Sequence, residues 1–318
     1  MTLGLLAAIA ATFSWSLLFI FPQLVGDYSV FDLAVVSYAF AGVGSAIVLF
    51  VYRREVRQLR LNDWAWAALL GFLGYIGFFF LITTAVLAAG PVIPPVMMGS
   101  VPIVLAITAN LRSSSIPWRA IAGPLVMAAL GIGVVNYSAF NASGAMVDRP
   151  TGSILFGLLA SLVAIAFWTG FGLFNESALA QRPKMSPMLW SAMLIFSCAV
   201  EMLVFIPVGL YLELSNFAIQ PGEVAGTQAL IISGMVQGLG ATLAAAWAWS
   251  VATRRLPLAL SGQLIASETL YATALGLLIT QRWPSTAEAV GTGMLFIGVV
   301  WAIQAFYSRQ SRIKSMAD

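Results

Sequence analysis

The stretch GPVIPPVMMGSVP, Gly90 to Pro102, decides how this chain is read. It lies inside an apolar run that continues through Ile107, yet it carries Pro91, Pro94, Pro95 and Pro102 where a membrane-crossing helix should form. Pro91 and Pro94 suit a first turn, whose N–H groups have no intrahelical partner. Pro102 lies further in and removes the bond to the Met98 carbonyl, so the helix cannot be regular. Hydrocarbon offers no water to replace that bond. An interrupted span is tolerated only where it packs in protein or lines a wet cavity. The second half of the chain holds a counterpart, PLALSGQLIASE, Pro257 to Glu268. From an opening proline each segment reaches an awkward residue near mid-span, Pro102 in one and Glu268 in the other. Interruptions at matching places in two halves point to a transporter's binding site.

Composition sets the frame around these segments. Of 318 residues 60% are hydrophobic and 8% charged, and the mean hydropathy is +0.94. With roughly 20 apolar residues per crossing, these values describe an all-α integral membrane protein of many spans. The net charge of +3 does not imply nucleic acid, because the basic residues lie in short loops between apolar runs. The absence of histidine removes the usual proton shuttle, the Ser/His and Cys/His catalytic pairs and most zinc sites. A single Cys198 excludes an intrachain disulfide. No Walker A, HExxH, GxSxG or CxxC motif occurs, so neither ATP, a metal nor another cofactor is expected. The first apolar run lacks a basic leader and reads as a span rather than a signal peptide.

Apolar runs predict ten spans, at 3–21, 31–52, 64–88, 91–111, 117–138, 153–175, 187–211, 227–250, 257–280 and 285–307. Thirteen of the 15 basic residues fall in alternate loops and the C-terminal tail, leaving Arg149 and Arg282 on the other side. By the positive-inside rule both termini are cytoplasmic, and the parity agrees with ten spans. The halves also match in order: Trp15 over Trp168, Gly71 and Gly77 over Gly234 and Gly240, Pro91 and Pro102 over Pro257 and Glu268, and GIGVV at Gly131 over FIGVV at Phe296. Nearly collinear matches suggest a duplicated five-span unit, with repeats 1–145 and 146–318. Five is odd, so the second copy enters from the opposite face, an inverted repeat.

Ten spans, five-plus-five inversion, cytoplasmic termini, tryptophans in spans one and six and a proline-rich fourth span resemble the EamA-type exporters of the drug/metabolite transporter superfamily. The resemblance covers essentially the whole chain. It implies a central cavity ringed by spans one, three, four, six, eight and nine, with two and seven peripheral and five and ten as a buttress. It also implies an inner-membrane exporter of a small substrate, amino acids or related metabolites among the candidates. Two features depart from the pattern. Where many members have Gly-Glu before spans five and ten, this chain has RSSSIPW and QRWPS, and Glu268 stands where a proline is usual.

The polar residues inside spans are the candidates for chemistry. Glu268 lies about 16 Å from its opening proline at roughly 1.5 Å per residue, near the middle of a core about 30 Å thick. A charge there costs several kcal/mol, on the order of 2.5 to 3.5 for Asp, Lys or Arg, so Glu268 should face the interior, pair, or hold a proton. Exchange of that proton for substrate would supply a driving force; a carboxyl that only bonds a neighbouring helix would lock packing instead. Ser261 and Tyr271 share its face. Glu201, mid-depth in span seven, poses the same energetic problem in a span the resemblance makes peripheral. Trp15, Trp168, Tyr75, Phe78 and Trp247 are deep enough to stack on a planar substrate or hold a cation. Gln237 and Gln263 can orient a polar group or join helices.

These residues support a secondary transporter in contact with the lipid bilayer, a small-molecule substrate and protons as the coupling ion. An importer or facilitator is one alternative, and a membrane-embedded lipid-modifying enzyme another. The enzyme is disfavoured because the acids are isolated and no nucleophile–base pair appears.

Overall fold

The computed structural model describes residues 2–89, 93–113, 117–142, 150–217, 224–281 and 283–317. In chain order its helices are α1 (Thr2–Ser16), α2 (Val30–Val51), α3 (Arg53–Val56), α4 (Leu61–Gly71), α5 (Gly77–Ala89), α6 (Ile93–Met98), α7 (Val101–Ser113), α8 (Trp118–Ala142), α9 (Thr151–Ala180), α10 (Pro187–Tyr211), α11 (Val224–Val236), α12 (Ala245–Thr253), α13 (Leu258–Ile265), α14 (Ser267–Thr280) and α15 (Thr286–Ala317). Two π-helical segments, Phe72–Ile76 and Gln237–Ala244, join α4 to α5 and α11 to α12. No strand occurs among the described residues. The protein is an all-α membrane protein.

Seven continuous stretches among the described residues are long and apolar enough to cross a bilayer: 30–51, 61–89, 118–135, 151–180, 187–211, 226–253 and 286–305. The remaining three expected spans are short or broken. The first ends as an α-helix at Ser16, sooner than the expected run to residue 21, and continues as 3-10 turns Leu17–Phe19 and Phe21–Gln23. The cause is local. Ser16 Oγ donates to the Phe13 carbonyl at 2.6 Å, and Pro22 brings no N–H. The fourth and ninth are broken where the prolines and Glu268 stand.

Helix starts follow capping chemistry. Ser29 accepts from the Asp32 N–H at 3.0 Å while Asp32 accepts from the Ser29 N–H at 2.9 Å, a capping box opening α2. Ser186 accepts from the Leu189 N–H at 3.0 Å and Pro187 takes the first helical position of α10.

The chain forms two compact units, 1–76 with 174–255 and 77–173 with 256–318. Each unit draws on both sequence halves, so the units are not the two expected repeats. In the first unit α2 packs on α10 and α11, and α1 on α12. Small residues permit close approach: a Cβ on Gly42 would stand 2.7 Å from Ala199 Cβ. Asp32 is fully buried and also accepts from Ser215 Oγ at 2.6 Å and the Asn216 N–H at 2.9 Å, tying α2 to the segment after α10. At the unit's other end Arg182 Nε donates to Asp63 Oδ1 at 2.8 Å and its guanidinium lies 5.3 Å from the Trp190 ring centroid.

In the second unit α8 packs along α15 and α7 along α13. A Cβ on Gly131 would lie 2.6 Å from the Leu295 nitrogen, and one on Gly291 2.8 Å from the Gly131 carbonyl. Backbone-to-backbone contact of this kind lets two spans pack closely without an aqueous hydrophobic drive.

Candidate functional site

The candidate site is built on two breaks in the second unit. α6 ends at Met98, Gly99 and Ser100 form a turn, and α7 begins at Val101. Pro102 thus falls in the first turn of a new helix, where a missing N–H costs nothing. α13 ends at Ile265, Ala266 makes the turn, and α14 begins at Ser267 with Glu268 in its first turn. The two breaks share their chemistry: Ser100 Oγ donates to the Met97 carbonyl at 2.7 Å, and Ser267 Oγ donates to the Leu264 carbonyl at 2.7 Å. Each serine takes up a carbonyl that the interrupted helix leaves without its usual partner.

α7 and α13 meet closely. A Cβ on Gly262 would lie 2.9 Å from the Ala106 nitrogen, and one on Gly172 of α9 would lie 2.7 Å from Leu105 Cδ1. α7 therefore sits between the first half of span nine and span six. Pro94 and Pro102 are buried and Pro257 is half-buried, just ahead of α13. Pro95 falls within α6, and Pro91 lies outside the described residues.

Glu268 is half-buried, with no cationic side chain paired to it among the described residues. Ser261 is fully buried, and its Oγ has no hydrogen-bond partner among those residues. Gln263 is 5% exposed with Nε2 likewise unbonded. Tyr271 is half-buried. The polar stripe of span nine thus runs from enclosed Ser261 to accessible Glu268 and Tyr271. Thr169, which the sequence reading passed over, adds a buried Oγ1 without a partner among the described residues. Its signal was a hydroxyl beside Trp168 in an apolar run.

Trp168 remains half-buried between two rings, Phe78 at 5.2 Å and Phe171 at 5.4 Å between centroids. The fold thus brings Trp168 and Phe78 together. Tyr75, three residues before Phe78 and on the same face of a regular α-helix, is not part of that ring pair. The π segment Phe72–Ile76 intervenes, and its wider turn changes the register of everything after it. Tyr75 is buried and interacts electrostatically with Cys198 of α10.

The two other candidate tryptophans differ in burial. Trp15 is 3% exposed and packs on Trp249 with centroids 5.4 Å apart, so its ring belongs to the first unit's core. Trp247 is 44% exposed; Trp249, two residues on and about 200° further around the helix at 100° per residue, is buried. Gln237 lies in the second π segment, half-buried, with Oε1 unbonded among the described residues. Glu201 is half-buried on α10. Among the described residues no cluster of His, Cys, Asp and Glu is arranged to hold a metal.

Broken helices facing one another inside a bundle of apolar spans define a class, the helical membrane transporters. Residues 2–137 match the EamA-like transporter family, and the resemblance read from the sequence is borne out. Over 311 residues it is 26% identical to "Inner membrane protein YtfF" of Escherichia coli (strain K12), covering 95% of each chain. A solved crystal structure shares the fold with a TM-score of 0.73 at 16% identity, over 94% of this chain and 96% of that one. The protein is a multi-pass membrane transporter.

Proposed function

We propose that this transporter exports a small amphipathic metabolite, an amino acid or related compound, across the inner membrane by alternating access, with Glu268 exchanging a proton for substrate. The carrying observation is the pair of matched breaks. Spans four and nine are interrupted at corresponding positions, both restart with a serine bonded back to the preceding turn, and a half-buried acid stands at one restart. A carboxyl at that place is expensive unless it has work to do. Trp168 and Phe78 supply an apolar wall for the substrate, and Ser261, Gln263 and Thr169 supply unspent hydrogen-bonding capacity.

The proposed duplication is supported by the packing of spans five apart: α2 on α10, α7 on α13 and α8 on α15. The inner-membrane assignment is supported by the similarity to the Escherichia coli inner membrane protein YtfF. Cytoplasmic termini follow from the distribution of basic loops.

Mass spectrometry of medium and cytosol from overexpressing cells tests the proposal. Metabolites enriched outside with wild type, and lost with Glu268→Gln at equal membrane abundance, are the expected result. Export unchanged by Glu268→Gln removes Glu268 as the coupling group. No difference from an empty vector in any exported metabolite overturns export.

A further inference from the structure

A second acid lies in the first unit, and the export reading does not use it. Glu201 sits on α10 three residues after Cys198 and four before Phe205. Both neighbours face the same stretch of span three. A Cβ on Gly71 would lie 2.9 Å from Cys198 Sγ and 3.2 Å from the Leu194 carbonyl, and Phe72 stacks on Phe205 with centroids 6.2 Å apart. That stretch is the start of the π segment Phe72–Ile76. With spacings of three and four, Glu201 falls on the flank of α10 that meets the π turn. Span two closes the other side: Tyr38 lies near enough to Cys198, Tyr75 and Glu201 to interact electrostatically with all three. One carboxylate oxygen, Oε2, is buried and has no hydrogen bond among the described residues. Packing between helices, the bland role for such a residue, would have given that oxygen a donor.

The surroundings select the ligand. α2 offers the Tyr38 hydroxyl, the π turn the Tyr75 hydroxyl and α10 itself the Cys198 thiol. The only acid of α4, Asp63, is bonded to Arg182, and α12 and the second π segment carry no titratable side chain. Nothing cationic faces Glu201 from these elements. A metal ion would find one carboxylate, two phenols and a thiol, a poor donor set for any hard cation. A proton fits, because it removes the charge and turns the carboxyl into a donor.

We propose that Glu201 is a proton-binding site in its own right, separate from Glu268, and that its protonation state governs the opening of the π turn in span three. π segments cluster at functional sites because the wider turn leaves backbone groups out of register. A protonated carboxyl beside such a turn can bond a carbonyl there; a charged one draws water toward it instead.

Proton uptake by the purified full-length protein tests this, measured between about pH 9 and about pH 5, where an exposed carboxyl near pKa 4.3 contributes little. Wild type, Glu201→Gln, Glu268→Gln and the double variant are compared. Glu201→Gln should take up one proton fewer than wild type, and the double variant one fewer than Glu268→Gln. This difference holds whether or not Glu268 titrates, so the two readings fail separately. Equal uptake by folded wild type and Glu201→Gln overturns the site. Cys198, the only cysteine, reports the opening. Its alkylation by a membrane-permeant maleimide should rise with pH more steeply in wild type than in Glu201→Gln, which keeps only the thiol's own pH dependence. Identical profiles overturn the link to the π turn. Should Glu201→Gln fail to fold, Glu201→Met carries the test: the folded variant must take up one proton fewer than wild type, and equal uptake refutes the site.

Discussion

Two glycine contacts that look alike should respond in opposite ways to the same repair. A Cβ added at Gly42 would meet Ala199 Cβ at 2.7 Å and nothing else within 4 Å. A Cβ added at Gly262 would meet the Ala106 nitrogen at 2.9 Å, its Cα at 3.2 Å and its Cβ at 3.4 Å. Carbon atoms rest about 3.5 Å apart or more, so Gly42→Ala is about 0.8 Å short of room. Overpacking of this size costs about 1–3 kcal/mol in either variant. Pairing Gly42→Ala with Ala199→Gly removes the whole clash and keeps one alanine and one glycine across the contact. That double variant should return to within about 1 kcal/mol of wild type, the helix propensity difference between the two residues. Ala106→Gly cannot do the same for Gly262→Ala, because the obstructing atoms are backbone. The assay is a double-mutant cycle on unfolding of the purified protein, read as a coupling energy. It should be about −1 to −3 kcal/mol for the 42/199 pair and near zero for 106/262. Comparable coupling in both pairs would refute the reasoning, since it would mean that side-chain and backbone obstructions relax equally well. Because α7 and α13 carry the proposed site, Gly262→Ala should also depress export more than Gly42→Ala does.

Three further outcomes follow from the structure. Trp15→Ala should destabilise the protein by about 3–5 kcal/mol, while Trp247→Ala should change stability far less, as the 3% and 44% exposures require; chemical denaturation of both variants checks this. Asp32→Ala strips partners from Ser215, Asn216 and the Ser29 N–H at once and should cost about 3–5 kcal/mol, with Asp32→Asn intermediate; equal unfolding midpoints for wild type and Asp32→Ala would show that the junction is already replaced by water. Arg182 and Asp63 have side chains 11% and 18% exposed, so their double-mutant cycle should give about 1–3 kcal/mol, above the value for exposed pairs; a coupling below about 0.5 kcal/mol would place the pair with ordinary surface contacts.

Much of the architecture was legible because the membrane imposes it locally. An apolar run long enough to cross must become a helix, since no other segment satisfies its backbone in hydrocarbon. The run at 187–211 is α10, Pro187–Tyr211, and the run at 31–52 is α2, Val30–Val51, to within a residue. The fourth span's break followed from Pro102, whose missing N–H is a property of the residue itself. In span nine the spacing from Pro257 marked Glu268 as the awkward residue at the matching place, and the break itself is seen only in the fold. No proline stands at that break, and the Ser267 bond to Leu264 that accompanies it appears only in the folded chain.

Facing directions were not legible. Tyr75 and Phe78 are three residues apart and would share a face of a regular α-helix. The π segment between them separates their surroundings, and glycines at 71, 74 and 77 signalled only that something unusual was affordable there. Trp247 and Trp249 are equally hydrophobic and equally deep. Only the presence of Trp15 beside one of them chose which ring turned inward. Asp32 lies three residues after Ser29, a spacing that marks a helix start, but its bonds to Ser215 and Asn216 span more than 180 positions of sequence. The sequence by itself thus determined which segments are helices, where the proline-rich one breaks and where charge is costly. Tertiary structure decided which side chains meet, because helix formation depends on each residue's own backbone and solvent, whereas the face a helix buries depends on the shape of its neighbours.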